Sequence, residues 1–148
     1  MALKTLLLRE GGRPVETGRA ASYSIRVPAI AACLPMLRTA VWSFLANHLD
    51  DRQMIDAIGL GVSEAVNNAI LHAYPDGPAG QVDISLMYAD TEVEAVIRDY
   101  GLGFQRNVAP KHRLGIPLMA RLASALEIAD AAPGTVVRQR FQLDDAPA

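Results

Sequence analysis

Three short stretches of this chain carry residue types whose spacing could do chemistry. The first runs from Ser63 to Tyr74, where Glu64 and Asn68 are four residues apart and His72 continues the row. On a helix these three share a face. An Asn carboxamide oxygen is a hard donor suited to Mg²⁺ beside a nucleotide, and a Glu carboxylate could take a proton from a hydroxyl. The same row also fits the polar stripe of an ordinary amphipathic helix. The second stretch is Arg98-Asp99-Tyr100-Gly101-Leu102-Gly103-Phe104. Two glycines spaced by one residue let the backbone turn sharply and approach a flat ligand without a Cβ in the way. Asp99 could accept a hydrogen bond from an exocyclic amine there, although Asp and Gly equally make a plain strand-ending turn. The third is Lys111-His112-Arg113-Leu114-Gly115-Ile116-Pro117. Fixed positive charge before a helix N-terminus opposes the helix dipole, which favours anions. Free backbone N–H groups with cations nearby suit a phosphate, and a solvated basic loop is the other reading.

These stretches need elements to position them. Tyr23, Ile25 and Val27 alternate with polar residues and predict a strand over 22–27, ended by Pro28. Leu34, Leu37, Val41 and Leu45 recur at helical spacing, predicting a core-facing helix within 30–48. Asp50 or Asp51 can cap a second helix, which runs to about Ala73 and stops before the turn cluster of Pro75, Gly77, Pro78 and Gly80. Its apolar side is Ile55, Ile58, Val62, Val66 and Ala69. The period then changes to two. Val82, Ile84, Leu86 and Tyr88, followed by Val93, Ala95 and Ile97, predict an antiparallel hairpin turning at Asp90-Thr91 with one wet face. A helix is expected from Gly115 to about Leu126, a short strand over 127–129, and a last strand over 135–143 with Val137, Phe141 and Leu143 inward. Residues 10–21, rich in Gly and Pro, read as a loop or tail.

With 148 residues, half of them hydrophobic, the chain can bury a core without disulfides, and it reads as one domain. A formal net charge of −2 argues against broad attraction to nucleic acid or anionic lipid. The single cysteine, Cys33, excludes a disulfide framework and a cysteine-rich metal site, and it lies in an apolar run as a core residue would. The Leu6-Leu7-Leu8 run is too short for a signal peptide, and no stretch approaches the roughly 20 apolar residues of a membrane helix. The expected compartment is the cytoplasm.

Taken in order, the three stretches resemble the motifs of the GHKL ATPases, the superfamily of histidine-kinase catalytic domains, Hsp90, gyrase B and MutL. The helix with Glu64 and Asn68 looks like the N box, and Asp99 to Phe104 looks like the adenine-binding D-x-G-x-G-F box. Gly115 opens what looks like the second glycine box, and Gly134-Thr135 resembles the Gly-Thr before the last strand. The likeness covers roughly 22–143, leaving 1–21 as a tail or extra strand and 144–148 as a C-terminal tail. It implies an α+β fold, a two-layer sandwich of Bergerat type with a mixed, mostly antiparallel sheet covered on one face by helices.

The phrase from Ser63 to Tyr74 is most similar to the anti-sigma serine kinases. That resemblance implies ATP and Mg²⁺ as cofactors, with Asn68 holding Mg²⁺ and Glu64 acting as general base toward a partner's serine. It implies that Asp99 binds the adenine amino group, that Thr135 supports Asp99 through its hydroxyl, and that Gly101 and Gly103 shape the adenine pocket. The amides around Gly115 would meet the phosphates, and Lys111 or Arg113 would neutralise charge on the transferring group. The implied partners are a sigma factor and an anti-anti-sigma protein, with a homodimer as the expected assembly. Arg113 stands where the family usually carries an earlier glycine, and the stretch from Phe104 to Gly115 is short. Two alternatives stay open beside the kinase. One is a binding module that uses nucleotide only as a conformational ligand and sequesters a partner. The other is a catalytic module detached from a two-component histidine kinase.

Overall fold

The structure is a computed structural model that describes residues 19–103 and 115–144 in full, and the backbone of two short strands nearer the N-terminus. Residues 10–21 are not wholly a loop. Strand β1 (Leu6–Leu8) pairs antiparallel with β2 (Pro14–Glu16) in a small separate hairpin. Strand β3 (Ala21–Pro28) then opens the main sheet, followed by a single 3₁₀ turn over Ala31–Cys33 and helix α1 (Leu34–Ala46). Helix α1 begins later than the apolar spacing suggests because Pro35 sits in its first turn, where a missing N–H costs nothing.

Helix α2 (Arg52–His72) is the longest element. Asp51 is its N-cap, with one carboxylate oxygen accepting from the amides of Gln53 at 3.0 Å and Met54 at 3.2 Å. Those are two of the donors that a helix start leaves without partners. Ile55, Ile58, Val62, Ala65, Val66 and Ala69 are buried along it, the stripe that the 3.6-residue period predicts.

Strands β4 (Gln81–Tyr88) and β5 (Glu92–Asp99) form the expected hairpin. Helix α3 (Gly115–Leu122) is shorter than its spacing predicts, because Ala125 and Leu126 belong to strand β6 (Ala125–Asp130). The amide of Ser124 donates to the carbonyl of Arg140 at 2.7 Å, and its hydroxyl accepts from the amide of Gln142 at 2.8 Å. These bonds draw the chain into the sheet edge immediately after the helix. Strand β7 (Thr135–Gln142) completes the order β3-β4-β5-β7-β6. Every ladder of this sheet is antiparallel, so the mixed sheet of the sequence reading is corrected to an antiparallel one among the described residues.

One face of the sheet supplies Val27, Val82, Ile84, Leu86, Val93, Ala95, Ile97, Val137 and Phe141 to the core, packed with Leu37, Val41 and Leu45 of α1 and Met119 of α3. Cys33 is buried there as expected. The other face is wet. It carries the pair Arg26–Asp83 between neighbouring strands, and Glu94 bridges Arg138 at 2.8 Å and Arg140 at 3.0 Å. Apart from the small hairpin β1–β2, two layers, sheet and helices, are therefore the architecture of the described residues. No helix among them is long and apolar enough to cross a membrane.

The cap offers a direct check on the length of α2. Replacing Asp51 with Ala should cost about 1 kcal/mol, which lowers the melting midpoint by about 2–4 °C for a chain of this size. An unchanged midpoint in calorimetry would mean that the helix does not start where its cap places it.

Candidate functional site

The C-terminal half of α2 is a common wall for all three sequence stretches. Glu64 and Asn68 are half-buried on it, and Gly115, the first residue of α3, is buried against both. A Cβ at Gly115 would stand 2.8 Å from Glu64 Oε2 and 3.4 Å from Asn68 Nδ2. Any side chain at this position would have to push the end of the Glu64 side chain aside. The first and third stretches, 51 residues apart from Glu64 to Gly115 in sequence, thus meet at one point. His72 lies half-buried one turn further along α2.

The second stretch meets the end of the same helix. The carbonyl of Ala73 accepts from the amide of Leu102 at 3.0 Å, and a Cβ on Gly101 would collide with that carbonyl. Gly101 is therefore fixed by a close approach of backbone to backbone. Gly103 has φ +86°, in the region that side-chain-bearing residues avoid, and faces Asp130 and the carbonyl of Gly134. Gly134 has φ +97°, and any Cβ there would run into the backbone of Asp99 and Tyr100.

Asp99, the last residue of β5, sits inside this frame at 8 % exposure. Its Oδ1 accepts from the amide of Gly101 at 3.0 Å and from the amide of Thr135 at 3.2 Å. The cross-strand register Asp99↔Thr135 brings the second donor. Burial pushes the carboxyl above its ordinary range, while the two amides and the Arg98 guanidinium pull it back. The result is a desolvated acceptor held in one orientation by backbone donors. Thr135 is buried, and its contact with Asp99 comes from its backbone amide and not from the hydroxyl of the sequence reading. Lys111 and Arg113 lie outside the described residues. Among the described residues there is no group of three or more His, Cys, Asp and Glu side chains that could hold a metal ion by themselves.

Three side chains matter here that sequence reasoning passed over. Gln139 is fully buried in β7, and its Nε2 donates to the carbonyl of Gly61 at 2.9 Å and meets Met119 Sδ at 3.0 Å. It ties the sheet to α2 and α3 together. Strand parity could have found it, since it lies between Val137 and Phe141 on the same inward face. Tyr74 accepts at its hydroxyl from the amide of Tyr100 at 2.8 Å and donates to the carbonyl of Gln81 at 2.7 Å. Tyr100 itself turns to the wet face of the sheet and donates its hydroxyl to Asp83. No periodicity signals Tyr74 or Tyr100, because both act from turns.

An antiparallel sheet with helices on one face, a buried carboxylate framed by glycines, and a helix carrying Glu and Asn beside it together make the arrangement of a GHKL-type sandwich. The chain belongs to the family of histidine kinase-like ATPase domains, whose profile matches residues 27–141. Among curated proteins it is similar to the anti-sigma F factors of Shouchella clausii and Bacillus subtilis strain 168, each 42% identical over 66 residues. The aligned part is 45% of this chain and 45% of each relative, so the match spans less than half the length of those proteins. Among solved structures it is similar in fold to the crystal structure of the RsbU and RsbW domains of Rv1364c from Mycobacterium tuberculosis. That likeness has a TM-score of 0.66 and 24% identity, and covers 82% of this chain and 32% of the other.

The glycine frame makes two opposite expectations. Gly134→Ala should lower the unfolding free energy by about 2–4 kcal/mol, combining overpacking against Asp99 with a side chain forced to positive φ. Gly59→Ala on α2, where an added Cβ meets nothing within 4 Å, should raise it by about 0.5–1 kcal/mol. Urea denaturation of both variants measures this. Equal midpoints would show that the turn before β7 does not press on β5.

Proposed function

We propose that this protein is an ATP-binding anti-sigma regulator with protein-serine kinase activity toward an anti-anti-sigma partner. The observation that carries the reading is the convergence on one helix. Glu64 and Asn68 face the start of α3, and nine residues later the cap of α2 backs the turn behind Asp99. At 1.5 Å per residue that is roughly 13 Å along the helix, room for one nucleotide to lie with its base at Asp99 and its phosphates at Gly115.

In this reading Asp99 accepts from the adenine 6-amino group. Its Oδ1 is already occupied by two amides, so the base meets Oδ2. Gly101 and Gly103 leave the floor of the pocket free of side chains for the ring to lie on. Asn68 would be the residue that holds Mg²⁺, which would supply neutralising charge to the phosphates. The amides at Gly115 meet phosphate oxygens, with Lys111 and Arg113 adding positive charge around the transferring group. Glu64 takes the proton of the partner's serine hydroxyl as its oxygen forms the bond to the γ-phosphorus and the bond to ADP breaks. The similarity to anti-sigma F factors supports a sigma factor as the partner that is held; the partner phosphorylated in this reading is a small anti-anti-sigma protein. A module that binds nucleotide and partner without transfer is the second reading. It is favoured by Arg113 standing at a glycine position of the family's lid.

Three variants separate these readings in nucleotide calorimetry and partner labelling. Asp99→Asn should weaken ATP by about tenfold or more, since a hydrogen bond to a charged group is worth roughly 1.5–3 kcal/mol. Asn68→Ala should remove most of the Mg²⁺ dependence of binding. Glu64→Gln should keep ATP affinity while serine phosphorylation falls by about 10²–10⁴-fold. Tight ATP binding by wild type with no labelling of an anti-anti-sigma protein would select the binding module. Absence of any nucleotide binding would sink both.

A further inference from the structure

Tyr100 stands between Asp99 and Gly101, yet its side chain points away from Asp99. It crosses to the wet face of the sheet. There its hydroxyl donates to Asp83 Oδ2, and the Asp83 carboxylate is gripped by Arg26, Nε to Oδ1 at 2.6 Å and Nη2 to Oδ2 at 2.9 Å. The tyrosine ring is flanked by two guanidinium groups, Arg98 at 4.8 Å and Arg26 at 5.8 Å from the ring centre. Arg26 and Tyr100 together hold the Asp83 carboxyl down at about 2, well below the ordinary carboxylate range. Arg26, Asp83 and Arg98 lie on three neighbouring strands in direct register. The backbone amide of Tyr100 donates to Tyr74 on the opposite side. The peptide that follows Asp99 is therefore held from both faces of the sheet at once.

We infer that Tyr100 is a positioning residue for the base contact, setting the aim of the Asp99 carboxylate from the far side of the sheet through its bond to Asp83. The inference rests on the reading of Asp99 as the adenine contact. Asp99 Oδ1 receives the amide of Gly101, and that amide lies one residue beyond the anchored ring. If the ring lets go, the Gly101 amide shifts, and the carboxylate that it orients shifts with it. The carboxylate is too buried to find replacement donors in water. Aim matters most for telling adenine from guanine, because the discrimination is one amino group against one carbonyl at the same place. A device outside the pocket that tightens this aim is a specificity determinant that never touches the ligand.

The test uses the full 148-residue chain with Mg²⁺ and measures ATP and GTP affinities by calorimetry for wild type, Tyr100→Phe, Asp83→Ala and the double variant. Tyr100→Phe keeps the ring between the arginines and removes only the hydroxyl. Each single variant should lower the ATP-over-GTP preference by about two- to tenfold, the range of one net hydrogen bond. The double variant should lie no lower than the worse single one, because both break the same bond. A merely structural role would weaken ATP and GTP alike and move only the melting midpoint. An unchanged ATP-over-GTP ratio in both single variants, or additive losses in the double variant, would overturn the inference. Should Tyr100→Phe fail to fold, Asp83→Ala carries the same comparison. Wild type that binds ATP and GTP equally would instead remove the role of Asp99 itself, and this inference with it.

Discussion

A carboxylate buried at the end of a strand must find hydrogen-bond donors, and the protein around Asp99 is arranged by that demand. An ionised group taken out of water without partners would cost several kcal/mol. Here both donors to Oδ1 are backbone amides, from Gly101 and Thr135. Backbone donors come with backbone consequences. The Gly101 amide reaches it in a local turn two residues on, and that turn packs against the carbonyl of Ala73, where a Cβ at 101 would collide. The Thr135 amide can reach only if β7 enters in register with β5 and the turn before it presses on Asp99, which excludes a Cβ at 134. One acceptor thus fixes a turn, a strand register and the end of a helix.

Helix α2 converts that local constraint into a site. Its apolar side is buried in the core, while its polar row runs from Glu64 through Asn68 toward the Ala73 carbonyl. A rigid helix packed along most of its length holds the two ends of the site at a fixed spacing, which loops could not do as well. Gln139 strengthens this from beneath. Its carboxamide joins the carbonyl of Gly61 to Met119, so that α2, α3 and β7 share one buried polar contact. Its Oε1 is buried and takes no hydrogen bond from the described residues, and a Cβ at Gly61 would come within 2.8 Å of it. The wet face of the sheet contributes as well. Arg26, Asp83, Tyr100 and Arg98 form a polar cluster behind the pocket, where surface ion pairs alone would be worth little. The tyrosine gives that cluster a connection to the site.

Much of this was written in local pattern. Period two gave β3, β4, β5 and β7, and the 3.6-residue stripe gave α2 with its cap at Asp51 and its stop before Pro75. The D-x-G-x-G box, Glu64 and Asn68 were legible because chemistry and spacing coincide within one element, and the order of the motifs pointed to the family. Contacts between distant elements were not legible. That Gly115 lies against Glu64 and Asn68, that Tyr100 faces away from the pocket, that Thr135 acts through its amide, and that α3 ends early so that Ala125 can join the sheet all depend on neighbours far along the chain. For residues 1–21 the sequence left a tail or an extra strand open and did not resolve the hairpin β1–β2, because three-residue strands have no period to read. Sequence determined which residues could act, since periodicity and backbone propensity are local. Only the tertiary structure decided which of them meet and which way each one points, because register, burial and close backbone approach are set by whatever the rest of the chain packs against them.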